Sequence, residues 1–209
     1  MESGKSGLYY PYKFARFYLL AMEDVMGRNS LNAVLKMAHL SHYADALPPD
    51  TLERAFDFAD FMAINLALEE LYGPRGGRGV ALRAGRACFA QRMRNFGAMV
   101  GVAHPLFSTL PLDLRVRVGL HAIAGIFTRF SDQVTHVVEH NMGYNLVVEQ
   151  SPACWGRSAD RPVCHSIAGV IQECARWAGG GHEFWVVETK CQAVGDEQCV
   201  FTIDKKPIN

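Results

Sequence analysis

The most informative segment of the chain reads Glu188-Thr-Lys-Cys191-Gln-Ala-Val-Gly195-Asp196-Glu-Gln-Cys199-Val-Phe201. Gly195 lies midway between the two cysteines, so we predict a β-hairpin that turns at Gly195-Asp196. The turn would place Cys191 opposite Cys199, with Cβ atoms about 4.5–5.5 Å apart. Two thiolates at that separation can share a Zn²⁺ ion, because Zn–S bonds are about 2.3 Å long. The same pair could instead form a disulfide, at some strain.

A closed metal site needs more ligands than this pair supplies. Glu188 lies three residues before Cys191, and on a regular strand that spacing points to opposite faces. Glu188 can therefore join only if the strand bulges or bends near 189–190. Cys164, near a predicted helix N-terminus, is a further candidate because the helix dipole favours a thiolate. Two residues compete with it for this position, Cys154 and His165. Ordinary burial of small hydrophobic cysteines, or a redox pair, would explain the same residues.

The rest of the chain predicts helices first and strands later. Asp50 and Glu53 have the spacing of a capping box, which predicts a helix start, and Pro111 opens another helix. The glycine-rich segment 73–79 is interpreted as a turn between helices, because no strand precedes it and it lacks a phosphate-loop spacing. The predicted helices cover 12–26, 30–40, 50–72, 80–100, 111–130 and 162–178, and the predicted strands cover 134–140, 145–150, 183–190 and 200–204. This order predicts an α+β fold in which helices pack on a small antiparallel sheet.

Composition narrows the class of protein. The 209 residues suit one domain, 1–209, with a helical N-terminal part over 1–78. The chain is 49% hydrophobic and carries 21 basic and 21 acidic residues, which excludes a disordered chain and a basic nucleic-acid binder. No apolar run reaches the length of a signal peptide core or a membrane span. We expect a cytoplasmic protein with reduced thiols, and clustered cysteines in that compartment favour a metal over a disulfide.

The hairpin segment, together with Pro162-Val-Cys164 and Gly169, resembles the 4-vinyl reductase domain family. The segment 79–86 looks like the helix-opening motif of that family, so the resemblance covers about 79–204. The family is similar in fold to TRAPP vesicle-tethering subunits and to the sensor domains of phenol-responsive activators. The resemblance implies an α+β, TRAPP-like fold, a homodimer and a pocket for an apolar small molecule.

The resemblance also implies a ligand set, since the phenol-sensing relatives hold zinc with three cysteines and one glutamate. The matching positions are Cys164, Glu188, Cys191 and Cys199. A four-ligand site with no open position is structural rather than catalytic. The other cysteines match no ligand: Cys88 and Cys174 are interpreted as core packing, and Cys154 as a strand-end or loop residue.

A pocket for an apolar guest has mostly apolar walls and a few polar groups. His121 lies mid-helix in an apolar stretch, where it could hydrogen-bond a phenol-like hydroxyl or bind a tetrapyrrole magnesium. His136 alternates with Val134 and Val138 and so shares their sheet face. Core packing explains each candidate equally. The candidate ligand-binding residues are Phe96, His121, Phe127, His136, Tyr144 and Trp155.

These observations lead to the hypothesis of a zinc-stabilised, homodimeric domain that binds a hydrophobic small molecule, namely an aromatic compound, a lipid or a tetrapyrrole. It would act as a sensor or carrier through a signalling or biosynthetic protein partner. One alternative is a reductase or accessory factor for a vinyl group in bacteriochlorophyll biosynthesis. No dinucleotide fingerprint follows a strand and no Gly-x-Ser-x-Gly motif is present, so the residues themselves give no support for an enzyme. A second alternative is a protein-interaction module like the tethering subunits.

Overall fold

The computed structural model describes residues 4–93 and 105–208 and has the predicted α+β architecture. The helices are α1 (Tyr12–Met26), α2 (Arg28–Met37), α3 (His42–Asp45), α4 (Phe58–Gln91), α5 (Leu112–Phe130) and α6 (His165–Ala178). The strands are β1 (Tyr9–Pro11), β2 (Arg54–Asp57), β3 (Thr135–His140), β4 (Gly143–Val148), β5 (Phe184–Lys190) and β6 (Cys199–Pro207). Short 3-10 helices cover Pro105–Thr109 and Gln192–Val194. Within the described ranges, none of the helices has both the length and the apolarity needed to cross a bilayer.

The larger sheet is antiparallel with strand order β3-β4-β6-β5. Its inner face packs against α5 and α6, because alternate residues of the central strands are apolar and buried. Tyr144 pairs with Ile203, Leu146 with Phe201, and Val148 with Cys199. The outer face has no helix over it among the described residues, and Val138 and Val187 are exposed there. Strand β5 forms one edge of the sheet.

The helix predicted to start at Asp50 starts eight residues later, at Phe58. Residues of 54–57 instead form β2, which pairs with β1 so that Tyr10 lies opposite Phe56. Asp57 caps the helix, since its Oδ1 accepts hydrogen bonds from the Ala59 amide at 2.8 Å and the Ser6 amide at 3.0 Å. The prediction was wrong because the capping-box pattern is local, whereas pairing with a distant strand decides this segment.

Helix α4 is kinked at Gly73, whose backbone has φ 71° and ψ 165°. That left-handed conformation favours glycine, and Pro74 then suits the first turn of the second half because its fixed φ is already helical. The segment 74–79 is therefore helical, and the prediction of a turn over 73–79 holds only at its first residue. The second half of α4 thus begins before the predicted position 80.

Helices α4 and α6 cross with their backbones in contact. A Cβ atom on Gly85 would lie 2.0 Å from the Ser166 carbonyl oxygen, and one on Gly169 would lie 2.1 Å from that of Leu82. The neighbouring Arg86 bonds to Glu173 of α6 at 3.0 Å. The segment 79–86 is therefore a mid-helix contact surface, not a helix opening, and it fixes the position of the first turn of α6.

Candidate metal centre

Four cysteines from four separate segments converge beside the first turn of α6. Cys154 lies in the loop after β4, Cys164 is the N-cap of α6, Cys191 follows β5, and Cys199 begins β6. All four side chains are buried, and their Sγ atoms all lie within 4.8 Å of one another. We call this group the thiol cluster.

The sulfur spacing of the thiol cluster is that of a tetrahedral metal site. The Sγ atom of Cys199 lies 3.6 Å from that of Cys154 and 3.7 Å from that of Cys164. The Sγ atoms of Cys164 and Cys191 are 4.0 Å apart. Four sulfurs around one Zn²⁺ at about 2.3 Å would be about 3.8 Å apart. The donor set therefore fits zinc in both chemistry and size.

Strand β5 contains the irregularity that the sequence required near 189–190. Glu188 pairs with Phe201 of β6 and Lys190 pairs with Val200, so two steps along β5 match one step along β6. This bulge turns Glu188 and Cys191 towards the same inner face. The Oε2 atom of Glu188 accepts a hydrogen bond from the Cys164 amide at 2.9 Å. Its Oε1 atom is buried and has no hydrogen-bond partner among the described residues.

Backbone and side-chain donors surround the sulfurs. The Gln192 amide donates to Cys199 Sγ at 3.3 Å, and the Ser151 hydroxyl lies 3.2 Å from Cys164 Sγ. The turn after Cys191 is closed by Gly195 in the left-handed region, with φ 100°, and by a 2.8 Å bond from the Cys191 amide to Asp196 Oδ2. Hydrogen bonds of this kind orient ligating groups and stabilise thiolates.

The electrostatics of the thiol cluster call for a cation. Burial raises the pKa of the Cys164 thiol well above its ordinary value, whereas hydrogen bonds from Cys164, Cys191 and Cys199 lower the pKa of Cys154. Burial, reinforced by the charge on Cys191, also raises the pKa of Glu188 to about 8. The cluster can thus hold a thiolate at Cys154 but opposes the further charges that full ionisation would bring. A bound divalent cation would supply the missing positive charge.

The remaining candidates for the metal lie elsewhere. Cys88 and Cys174 are buried in the core, and the Cys174 thiol donates to the Gly119 carbonyl at 3.4 Å. His165 is the first residue of α6 and is half-buried; desolvation, aided by Arg78, lowers its pKa to about 4. Of the competitors for the fourth position, it is Cys154 that lies within the cluster. Its place in an irregular loop gave no periodic signal from which this could be predicted.

The structure separates the predicted ligand-binding residues. Phe127 and Tyr144 are buried in the core, where the Tyr144 hydroxyl donates to the Asp113 carbonyl at 3.3 Å. His121 and His136 are exposed, so they are not brought together with these two side chains. Two further candidates remain: Trp155 is half-buried against the core, and Phe96 lies outside the described residues.

Sequence reasoning missed a buried polar group within the aromatic core. The Tyr18 hydroxyl donates to Asn65 Oδ1 at 3.3 Å, and the Asn65 amide donates to the Phe61 carbonyl at 2.9 Å. Ser166, in the first turn of α6, is 2% exposed, and its hydroxyl has no hydrogen-bond partner in the described part of the chain. The Tyr18 ring lies 4.9 Å from that of Phe61. A polar residue on an otherwise apolar helical stripe, as Asn65 is, was the available signal.

Comparison with known proteins identifies the region that holds the thiol cluster. Residues 145–205 match the family model of the 4-vinyl reductase domain, which confirms the resemblance to that family over this part of the chain. An uncharacterized protein of Methanocaldococcus jannaschii is 28% identical over 102 residues. These residues make up 48% of this chain and 45% of that protein, so the match spans less than half of the relative.

The whole fold is similar to solved H-NOX structures. The Fe(II) unliganded H-NOX protein of K. algicida has a TM-score of 0.56 at 14% identity, covering 94% of this chain and 96% of that one. The H-NOX protein of S. oneidensis in the Fe(II)NO ligation state has a TM-score of 0.54 at 14% identity, covering 93% and 99%. At such identities the likeness is one of fold; it agrees with the α+β class, and the TRAPP-like likeness stays an expectation. Residues 145–205 of this chain are therefore identified as a 4-vinyl reductase domain.

Proposed function

We propose that this chain is a zinc-stabilised binding domain for a hydrophobic small molecule, acting as a sensor or carrier. The observation that carries the proposal is the thiol cluster, whose four buried sulfurs lie within 4.8 Å of one another in the region that matches the family model. The likeness in fold to H-NOX proteins, whose structures are described by their ligation state, supports a domain built to respond to a small molecule.

The metal would have a structural role. Cys164, Cys191 and Cys199 lie on α6, after β5 and at the start of β6, so an ion bound to all three ties the helix to the hairpin. When bound, zinc supplies positive charge that holds the thiolates together. No water-accessible ligand position is needed for that role, because all of these side chains are buried.

The guest would lie in the aromatic core next to this clamp. Tyr10 contacts the rings of Phe58 and Phe61 at centroid distances of 5.2 and 5.4 Å. Tyr18 and Ser166 add hydroxyl groups to these apolar walls, and burial keeps Tyr18 protonated because it raises its pKa. Apolar walls with a few polar groups are typical of sites for small, largely apolar molecules. Ser166 lies two residues after Cys164, which would couple a guest to the metal clamp.

A homodimer is part of the proposal, and the edge strand β5 is the surface that it would bury. Trp185 and Val187 are 60% and 51% exposed on this strand. They border a groove of about 450 Å³ that also includes Arg78 and Ile208. Large exposed apolar side chains are typical of interaction surfaces. Sedimentation velocity should show a dimer for the native chain and a monomer for Trp185→Glu; a native monomer would contradict this part of the proposal.

Two measurements test the proposed function. Metal analysis of protein purified without chelators should give about one zinc per chain; a metal content near zero in a folded protein would contradict the clamp. Native mass spectrometry of protein from its own host should show a retained small molecule of aromatic, lipid or tetrapyrrole type. A tetrapyrrole, followed by its NADPH-dependent reduction, would instead favour the vinyl-reductase alternative.

A further inference from the structure

We infer that Cys154, and not Glu188, completes the metal site, which makes it a four-thiolate centre with the carboxylate beside it. The inference rests on the proposed metal site and names its fourth ligand. It is motivated by the position of Cys154, whose Sγ atom lies 3.6 Å from that of Cys199 and within 4.8 Å of the other two. All four sulfurs can therefore reach one ion at about 2.3 Å without rearrangement of the backbone.

The loop that carries Cys154 is built into the site. Residues 151–154 are all buried, and the Cys154 amide donates to the Ser151 carbonyl at 3.4 Å. The Ser151 amide donates to Gln192 Oε1 at 3.0 Å, and Gln192 follows Cys191 directly. The Gln192 side chain also donates to the Glu149 carbonyl at 2.8 Å. The turn is therefore fastened at both ends to the segment that contains Cys191, and the position of its thiol follows from these bonds.

The same turn presents a second group to the sulfurs. The Ser151 hydroxyl lies 3.2 Å from Cys164 Sγ, so residues 151 and 154 face the thiol cluster together. A hydroxyl donor to one thiolate beside a fourth thiol is the environment expected of ligands and their supporting hydrogen bonds. A loop cysteine that merely filled space would need no such partner.

Glu188 already has a different task. Its Oε2 atom accepts the amide hydrogen of Cys164 at 2.9 Å, and the described hydrogen bonds give that amide no other acceptor. Moving this carboxylate onto the metal would leave a buried N–H group without a partner, which is unfavourable. It would also displace Cys154 while keeping its thiol buried. We therefore assign Glu188 as a positioning residue that holds the N-terminus of α6, and with it Cys164, against the metal.

X-ray absorption at the zinc edge of the native protein tests this assignment without any variant. The expected shell is four sulfurs at about 2.3 Å with no oxygen at about 2.0–2.2 Å. Three sulfurs and one oxygen would overturn the inference and leave the proposed metal site standing. Protein that binds no metal would overturn both.

Cobalt(II) substitution then separates the two residues. In Cys154→Ser the sulfur-to-cobalt charge-transfer absorption should fall by about one quarter, because one of four thiolates is lost. The matched variant is Glu188→Gln, which keeps size and one acceptor oxygen. It should retain the full charge-transfer intensity while its zinc affinity falls by about 10–100-fold, as for other supporting groups of metal ligands. Unchanged intensity in Cys154→Ser would overturn the inference.

Discussion

Around Tyr10, the N-terminal part of the chain packs aromatic rings against one another, whereas around Cys199 the C-terminal part gathers four thiols from four segments. The first region is stabilised by burial of apolar surface, which is non-directional and needs no added component. The second is stabilised only if a cation offsets the repulsion between buried thiolates. The two regions meet at the crossing of α4 and α6. We therefore expect conditions and substitutions that affect one region and spare the other.

The largest effect should come from removing a shared ligand. Cys199→Ser should release the metal and destabilise the protein by about 4 kcal/mol, which in a chain of this length lowers Tm by about 8–16 °C. Hydrogen exchange should show lost protection in α6, β5 and β6 while α1 stays protected. The control is Cys88→Ser, a buried thiol outside the cluster. It should cost about 1 kcal/mol and leave the metal content unchanged. Equal effects of the two variants would contradict a metal clamp.

A smaller effect should follow from separating the two regions at their contact. Gly85→Ala would place a Cβ atom 2.0 Å from the Ser166 carbonyl oxygen and force α4 and α6 apart. We expect a loss of about 1–3 kcal/mol by chemical denaturation, together with weaker metal retention, because Cys164 moves with α6.

The control for this contact is Gly125→Ala on α5, where a Cβ atom meets nothing within 4 Å. Alanine is the better helix former, so this variant should be stabilised by about 0.5–1 kcal/mol. Destabilisation of both variants to the same degree would show that helix propensity, and not the close crossing, explains the first result.

A change confined to the N-terminal region should have a smaller effect still. Asp57→Ala removes the cap of α4 and its bonds to Ser6, and should cost about 1 kcal/mol without changing the metal content. Asp50→Ala is the matched control, since the sequence pattern places a cap there but the structure places an exposed ion pair with Lys13. Its loss should cost less than about 0.5 kcal/mol. The reverse order in urea denaturation would contradict the observed start of α4.

Acid should separate the regions most gently, through proton binding. Although burial opposes it, hydrogen bonds from Ser6 and Ala59 lower the pKa of Asp57. The unfolded chain then binds more protons, so the stability from this carboxylate is present above its ordinary pKa of about 3.9 and lost as pH falls through the folded value. Metal ligands must be deprotonated, so metal release should begin at a higher pH. Release to a chromophoric chelator and near-UV circular dichroism, followed together, should show two steps; a single coincident step would contradict this separation.

The elements that sequence patterns predicted well are those with local causes. The helix over 12–26 is observed as α1, and Pro111 precedes α5 as expected, because stop signals and apolar periodicity act within a few turns. The start of α4 could not be predicted in this way, since the pairing of β1 with β2 joins residues more than 40 positions apart. Periodicity likewise shows that His136 shares a face with Val138 but not which face is buried.

The candidate site was predictable to the extent that it lies on regular structure. The hairpin spacing pointed to Cys191 and Cys199, and the need for a bulge near 189–190 followed from strand alternation. Cys154 could not be found by these means, because the loop that carries it has no period and its position depends on bonds to Gln192. The family resemblance favoured Glu188 over Cys154, and only the folded arrangement of the loop places a fourth thiol at the cluster.

The bulge in β5 has a meaning that can be read in one dimension. Alternation on a strand works like a two-step clock, and an odd separation between two inward side chains records one missed beat. Glu188 and Cys191 are three positions apart and face the same way, so the spacing itself is the written trace of the inserted residue. Deleting Thr189 would restore the regular beat and turn either the carboxylate or the thiol outward. The Glu-x-x-Cys interval is therefore a signature of backbone geometry as much as of chemistry.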